Sequence, residues 1–329
     1  MPHTLRFPLA VAVLALFTAG ASVQAADTPW KPRKNVEIVI GAQAAGANDR
    51  VGRVLQKILT DTNALPVPTT VMNKPGQGQS LSVAYVNAHP ADPHYLVILG
   101  SSWVTTAITT GSTSTHRDLT PIIKAFDGDL VMFVPSGSPI RSIKDMVDGF
   151  TKGAVPFSFG FSTAAGNSSH IALAEIARIA GYDARKMRVV VNASGSITAT
   201  QVAGGHINVG ISSSGSAQAM AGVGKVRMIG TISSQRLPLL PDLPTLREQG
   251  YDVVASTWFT VFGAKGITPA QAGYWEDVFS KAMRTPEAKK FAESNNWTID
   301  LIGSKELPAL LDKEYARLRK TLTELGMAQ

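Results

Sequence analysis

The sequence predicts an α/β fold divided into two domains, and three observations support this. The chain has 329 residues, which is enough for two domains of ordinary size, each with its own core. Hydrophobic residues make up 44% and charged residues 17% of it, a composition typical of folded globular proteins. Short β-rich runs alternate with helical patterns along most of the chain. This alternation favours largely parallel sheets with helices packed on them.

The strand predictions rest on short apolar runs that end at small or polar residues. The first run, 36–40, stops at Gly41. Further strands are predicted at 66–72, 95–99, 130–134, 157–161, 187–191, 207–211 and 226–232.

The helix predictions rest on apolar residues that recur with helical spacing. After the first strand, one helix face is formed by Val51, Val54, Leu55, Ile58 and Leu59. A short helix is predicted at 81–88, and a longer one through Leu173 and Ile176 is closed by Gly181. An amphipathic helix from Leu311 to Leu325 comes last. Its two heptads are too few for a coiled coil, so we expect it to pack on the chain's own core.

Residues 1–25 have the layout of a cleavable secretory signal peptide. Arg6 supplies the positive charge, residues 7–20 are continuously apolar, and Val23-Gln24-Ala25 forms a small-x-small cleavage pattern. The alternative is a membrane anchor, but the run is shorter than the roughly 20 residues that a span needs. We therefore expect export to the periplasm.

Several classes of protein are excluded or disfavoured by composition and motifs. The chain has no cysteine, which excludes disulfides, thiolate zinc sites, iron–sulfur clusters and a cysteine nucleophile. Its net charge of +7 is scattered rather than clustered, so no nucleic-acid partner is predicted. The six histidines form no metal-ligand set, and there is neither a Gly-x-Ser-x-Gly elbow nor a nucleotide-binding glycine motif. We therefore expect no metal, no cofactor and no enzymatic activity.

Four small, polar loops are the candidate ligand-binding segments. They are residues 41–49, 73–80, 100–102 and 162–170, and the first and the last offer the start of a predicted helix to a ligand. Ligands of open α/β sheets lie beyond the carboxyl ends of the strands, and a helix N-terminus offers free N–H groups to an anion. For the first loop, a plain turn with Asn48 or Asp49 as helix N-cap is an equal alternative.

Taken in order, these loops and several further motifs resemble the Bug-type solute-binding proteins of the tripartite tricarboxylate transporter family. The resemblance covers roughly Pro32 to Met327. Its markers are Gly46-Ala47-Asn48-Asp49, Asn73-Lys74-Pro75-Gly76, Ala91-Asp92-Pro93-His94-Tyr95, Gly166-Asn167-Ser168-Ser169-His170, Gly204-Gly205-His206-Ile207-Asn208-Val209, Leu240-Pro241-Asp242-Leu243-Pro244-Thr245 and Ser256-Thr257-Trp258-Phe259.

The resemblance implies a type II-like, two-lobed periplasmic-binding-protein fold of the Venus-flytrap kind, with a mostly parallel sheet in each lobe. Lobe one is expected at 27–124 plus 233–329, and lobe two at 125–232. The cleft between them would close on a small organic carboxylate, a dicarboxylate, tricarboxylate or aromatic acid. The family holds such ligands mainly through backbone N–H groups and Ser or Thr hydroxyls.

The ligand-binding residues follow from the resemblance and the loops. We expect the ligand to be held by Gln43, Ala44, Ala45, Gly46, Ala47, Asn48 and Ser101 from lobe one, and by Thr163, Ala164, Gly166, Asn167, Ser168 and Ser213 from lobe two. His170 is a further candidate, with a cap or packing role as the alternative. Trp258 and Phe259 either line the cleft or pack in the core.

Three departures from the family pattern bear on specificity. Ala44-Ala45-Gly46 replaces Pro-Gly-Gly, and Gly78-Gln79 replaces Gly-Gly. Ser212 replaces an aspartate that can bind a ligand amine or hydroxyl. Because no acidic group is evident, we expect the protein not to favour an amino-acid ligand.

The expected partners are the ligand and the small and large integral membrane subunits of a tripartite transporter, with the chain itself a monomer. The alternative is a ligand-sensing role that feeds a two-component signalling system.

Overall fold

A computed structural model describes residue 1 and residues 30–44, 46–112, 114–152, 157–162 and 165–329, apart from the side chain of Gln77. Except for Met1, the expected signal peptide lies outside the described residues. The strands are β1 (Val36–Ile40), β2 (Thr69–Asn73), β3 (Tyr95–Gly100), β4 (Thr120–Gly128), β5 (Val131–Pro135), β6 (Ser158–Ser162), β7 (Arg188–Asn192), β8 (Val209–Ser212), β9 (Val226–Thr231), β10 (Thr257–Gly263) and β11 (Thr298–Gly303). The helices are α1 (Ala47–Asp61), α2 (Ser80–Asn87), α3 (Ser102–Thr109), α4 (Ile143–Lys152), α5 (Ser168–Ile179), α6 (Gly195–Ala203), α7 (Ser214–Ala221), α8 (Pro269–Met283), α9 (Pro286–Ser294) and α10 (Leu307–Glu324).

The strands form two separate sheets. The first has six strands in the order β11-β4-β10-β3-β1-β2, and the second has five in the order β7-β6-β8-β5-β9. Strands of the five-stranded sheet all come from the chain between β4 and β10. This is the order of segments expected for two interwoven lobes. The strand β4 extends to Gly128 in the six-stranded sheet, which is beyond the expected boundary at 124. The lobe boundaries themselves stay a prediction.

Both sheets are mixed, which corrects the expectation of mostly parallel sheets. β1 lies parallel to β2 and β3, but β10 is antiparallel to both of its neighbours, β3 and β4. In the second sheet, β6 lies parallel to β7 and β8, whereas β5 is antiparallel to β8 and β9.

The cause of the mixed pairing is the way the chain crosses between the sheets. β4 ends at Gly128 and β5 begins at Val131, so the chain enters the second sheet at the edge that faces the first. The two neighbours of β5, β8 and β9, end on that side, so the entering strand runs antiparallel to both. The same holds for β10, which begins after the chain returns from β9.

Each sheet is packed between apolar side chains. The core of the six-stranded sheet includes Trp103, Phe126, Phe262 and Trp275, all at most 1% exposed. Two further clusters cover the faces of the five-stranded sheet. Nowhere in the described ranges is a helix long and apolar enough to cross a membrane.

Candidate functional site

A cavity of about 390 Å³ lies where strands of both sheets end. Segments after β1, β3, β4, β6 and β8 contribute to its wall. The lining residues are Ala42, Gly46, Ala47, Asn48, Arg50, Gln79, Ser101, Ser102, Gly128, Asp129, Leu130, Ser162, Asn167, Ser168, Ser169, Gly195, Ser212, Ser213, Ser216, Thr257, Phe259 and Trp297. A larger groove of about 790 Å³ lies elsewhere, around Tyr274 and Lys281, and includes none of these residues.

Five helices begin at this cavity. The first residues of α1, α3, α5, α6 and α7, or their N-caps, belong to its lining. Gly46 is the N-cap of α1 and Ser213 that of α7, and in the described part of the chain no side chain caps either helix. Uncapped N–H groups and the partial positive charge of each helix start make such a pocket favourable for an anion.

The wall next to β1 and β3 is a network of neutral polar side chains. Asn48 Nδ2 donates to Gln79 Oε1 at 2.6 Å, and Gln79 Nε2 donates to Ser102 Oγ at 2.7 Å. The backbone N–H of Gly100 also donates to Gln79 Oε1, at 3.0 Å. Gln79 takes up this position with a φ of 80°, in the left-handed region. Asn48 and Asp49 lie inside α1, so neither of them is its N-cap.

The start of α5 forms the opposite wall. Asn167 caps this helix by accepting from the N–H of His170 at 3.0 Å, and its Nδ2 donates to the carbonyl of Ser162 at 2.6 Å. Ser168 Oγ donates to the carbonyl of Ser256 at 3.0 Å and lies 3.3 Å from Ser101 Oγ. Because the Ser168 proton is used, Ser101 donates in this contact, which joins segments that follow β3 and β6.

Aromatic rings form one side of the cavity. Phe259 and Trp297 are stacked with centroids 4.6 Å apart. The Arg50 guanidinium carbon lies 5.6 Å from the Trp297 ring centroid, and Arg50 Nη1 donates to Asn295 Oδ1 at 2.9 Å. Phe259 is also only 1% exposed and belongs to the main core. The sequence left open whether it lines the cleft or packs in the core, and in the structure it does both. Trp258 is buried outside the cavity lining.

An acidic side chain also belongs to the wall. Asp129 is 4% exposed, and its Oδ2 accepts from the backbone N–H of Ser214 at 2.7 Å. Burial raises the pKa of the Asp129 carboxyl to about 6. The premise that the site lacks an acidic group is therefore wrong.

The structure brings together half of the residues expected to bind the ligand. Those that line the cavity are Gly46, Ala47, Asn48, Ser101, Asn167, Ser168 and Ser213. Gln43 and Ala44 are exposed and lie outside the lining. Ala45, Thr163 and Ala164 lie outside the described residues.

Gly166 and His170 are not among the lining residues, and both make contacts within the protein. Gly166 has a φ of 83°, and a Cβ there would lie 3.2 Å from side-chain atoms of Leu322 and Thr109. His170 Nδ1 accepts from the Gly166 N–H at 3.0 Å, and its ring stacks on Phe161. Burial lowers the pKa of His170, which keeps it neutral as this acceptor. These contacts are of the packing kind that the sequence left open as the alternative to ligand binding.

Several lining residues were not found from the sequence. Asp129 could have been noticed as an acid directly before the apolar run 130–134. Gln79 lies in the candidate loop 73–80, but it was named individually only as a departure from the family pattern. Arg50 and Trp297 gave no signal, because the first lies inside a helix and the second is far away in the sequence. The described residues contain no group of His, Asp or Glu side chains that could hold a metal ion.

Together, the two interwoven sheets and the polar cavity at their facing edges define a two-lobed α/β solute-binding protein. The chain belongs to the tripartite tricarboxylate transporter family receptors, whose family model matches residues 51–327. Proteins of this family are periplasmic binding proteins, not enzymes.

Individual relatives and solved structures are similar to the chain over most of its length. The chain is 25% identical over 321 residues to the "UPF0065 protein in gbd 5'region" of Cupriavidus necator, covering 97% of this chain and 95% of the relative. It superposes on a TctC solute-binding protein from Polaromonas with a TM-score of 0.76 and 22% identity, covering 89% and 99% of the two chains. The R. palustris protein Rpa4515, solved with adipate, gives a TM-score of 0.75 at 18% identity, covering 90% and 99%.

Proposed function

We propose that this protein captures a small organic carboxylate in the 390 Å³ cavity and delivers it to the small and large membrane subunits of a tripartite transporter. The observation that carries the proposal is the convergence of five helix N-termini from both sheets on one cavity. A volume in this range suits a small molecule. The adipate in the Rpa4515 structure supports a carboxylate as the ligand class.

The chemistry of the wall fits this ligand class. Arg50 is a cation at the aromatic side, and the hydroxyls of Ser101, Ser168 and Ser213 supply polar contacts. Backbone N–H groups at the starts of α1 and α7 complete the anion-binding site. They stabilise the negative charge of a carboxylate without a pair of arginine side chains.

The proposed mechanism is closure of two lobes around the ligand, at 27–124 plus 233–329 and at 125–232. The contact between Ser101 and Ser168 already joins the two walls. A bound carboxylate would add further contacts to both walls, so it favours the closed arrangement over an open one. Export through the signal peptide at 1–25 would place the protein in the periplasm.

Substitution of Ala47 tests the anion-binding site without disturbing the fold. Ala47 is the first residue of α1, where an aspartate is favourable for the helix by about 0.3–1 kcal/mol. In Ala47→Asp the new carboxylate competes for the same N–H groups and repels an anionic ligand. We expect at least tenfold weaker binding by calorimetry, with unfolding temperature unchanged or raised.

Ala47→Asn is the matched control, because it has the same size without the charge. We expect it to keep the affinity within about threefold. Equal affinities of the aspartate and asparagine variants would show that the ligand does not occupy this helix start. Uptake of the labelled ligand by vesicles that carry the membrane subunits, with and without this protein, tests delivery.

A further inference from the structure

Asp129 lies in the cavity wall with one carboxylate oxygen unused. Its Oδ2 accepts from Ser214 N–H, but Oδ1 is buried and has no hydrogen-bond partner within the described ranges. No ion pair of Asp129 is found there either, and Arg50 is the other charged residue of the lining. Asn296 donates to Ser214 Oγ at 2.6 Å, and its own Oδ1 is likewise buried without a partner.

A buried carboxylate without a cation or a full set of donors is unfavourable. Its raised pKa has the same cause, since burial disfavours the charged form. A ligand group with N–H donors would remove this penalty, and a positively charged one would remove it best. Asp129 is one of the residues that line the cavity, so such a group would meet this carboxyl there.

The cavity wall therefore carries positive charge in one part and negative charge in another. Helix starts and Arg50 favour a carboxylate, while Asp129 opposes a second one close to it. A plain dicarboxylate that reached Asp129 would meet a like charge or require its protonation. A molecule with a carboxylate and a separate cation matches both features.

We propose that Asp129 is a specificity-determining residue that selects small carboxylates carrying an ammonium group. This inference rests on the proposed function, since it names the substrate class of the same cavity. It also reverses the expectation, drawn from the sequence, that an amino-acid ligand is disfavoured.

The test is a comparison of ligands that differ in one substituent. Succinate, malate and aspartate share a four-carbon skeleton with hydrogen, hydroxyl or ammonium at C2. Glutarate and glutamate, and 3-phenylpropionate and phenylalanine, extend the comparison to longer and aromatic skeletons. We expect the ammonium-bearing member to bind at least tenfold more tightly by calorimetry at pH 7.5 in the skeleton that fits, with the hydroxyl member in between.

Asp129→Asn is the diagnostic variant, because asparagine keeps an oxygen for the Ser214 N–H and loses the charge. We expect it to reduce the preference for ammonium to about twofold or less and to tighten binding of the unsubstituted acid. Asp242→Asn, an exposed position, controls for the change in net charge and is expected to leave the preference unchanged.

The possible outcomes distinguish failure of this inference from failure of the proposed function. If unsubstituted acids bind as tightly as their ammonium partners, or if Asp129→Asn leaves the preference intact, this inference is overturned while carboxylate capture stands. If no acid of any skeleton binds, the proposed function fails and the inference fails with it.

Discussion

Replacing Asp129 by asparagine should stabilise the ligand-free protein at neutral pH, because the native carboxyl is held in an unfavourable site. Burial raises its pKa from 3.8 to about 6, so the folded chain binds this proton more tightly than the unfolded chain. Protonation therefore favours the folded state below pH 4, and this contribution is lost as the pH rises to about 6. Asparagine does not titrate and avoids the loss.

The magnitude follows from the size of the shift. A rise of about 2 pKa units corresponds to about 3 kcal/mol between the two protonation states, since one unit is about 1.4 kcal/mol. Asp129 is 4% exposed, so solvent screens little of this. For a chain of this size we expect the variant to melt of the order of 5 °C higher than the wild type at pH 8.

Scanning calorimetry of both proteins at pH 4 and pH 8, without ligand, measures the effect. The gain of Asp129→Asn over the wild type should be present at pH 8 and nearly absent at pH 4. A gain that is equal at both pH values, or no gain at pH 8, would refute the assignment of a destabilising buried carboxylate.

Three further substitutions test the structure around the cavity. Gln79→Gly relieves a left-handed residue but removes the three hydrogen bonds that its amide makes, so we expect a net loss of about 1–2 kcal/mol in urea unfolding. Gly166→Ala should cost about 1 kcal/mol or more through its positive φ and close neighbours, with ligand affinity nearly unchanged because Gly166 does not line the cavity. Lys124→Met removes the cation shared by Asp127 and Asp300, and should destabilise by about 3 kcal/mol at pH 7 but less at pH 4, where carboxylates protonate.

Each of these predictions has its own contrary result. Unchanged or increased stability of Gln79→Gly would mean that the strain outweighs the hydrogen bonds. For Gly166→Ala, lost affinity at full stability would place this residue in the ligand contact. A loss in Lys124→Met that does not shrink at acid pH would show that the side chain matters through packing rather than charge.

The sequence predicted β1 and β3 well because nearly all of their residues are buried. Val36–Ile40 and Tyr95–Gly100 have neighbouring strands on both sides and helices on both faces, so they are mostly apolar, with Glu37 as the exception. β4 escaped prediction because it carries Lys124 and Asp127, and β11 because it carries Asp300. Lys124 is buried in the sheet next to two carboxylates that neutralise it, and its pairing with Asp300 joins residues 176 positions apart.

The candidate site was predictable where it depends on strand ends. The loops after β1, β3, β6 and β8 had to meet near the facing edges of the sheets, and Asn48, Ser101 and Ser168 do so. Asp129 was missed because it lies on the connection that crosses between the sheets, which no repeating pattern marks. Trp297 enters the cavity from the segment between α9 and β11, where only the three-dimensional packing brings it to Phe259.

Native mass spectrometry of the protein purified from periplasm, followed by titration with carboxylates and amino acids, tests the central claim most directly. We expect one-to-one binding of a small organic acid, and loss of that complex in Ala47→Asp but not in Ala47→Asn. Absence of any adduct, with no complex formed across the whole titration series, would contradict the assignment of this cavity as a carboxylate site.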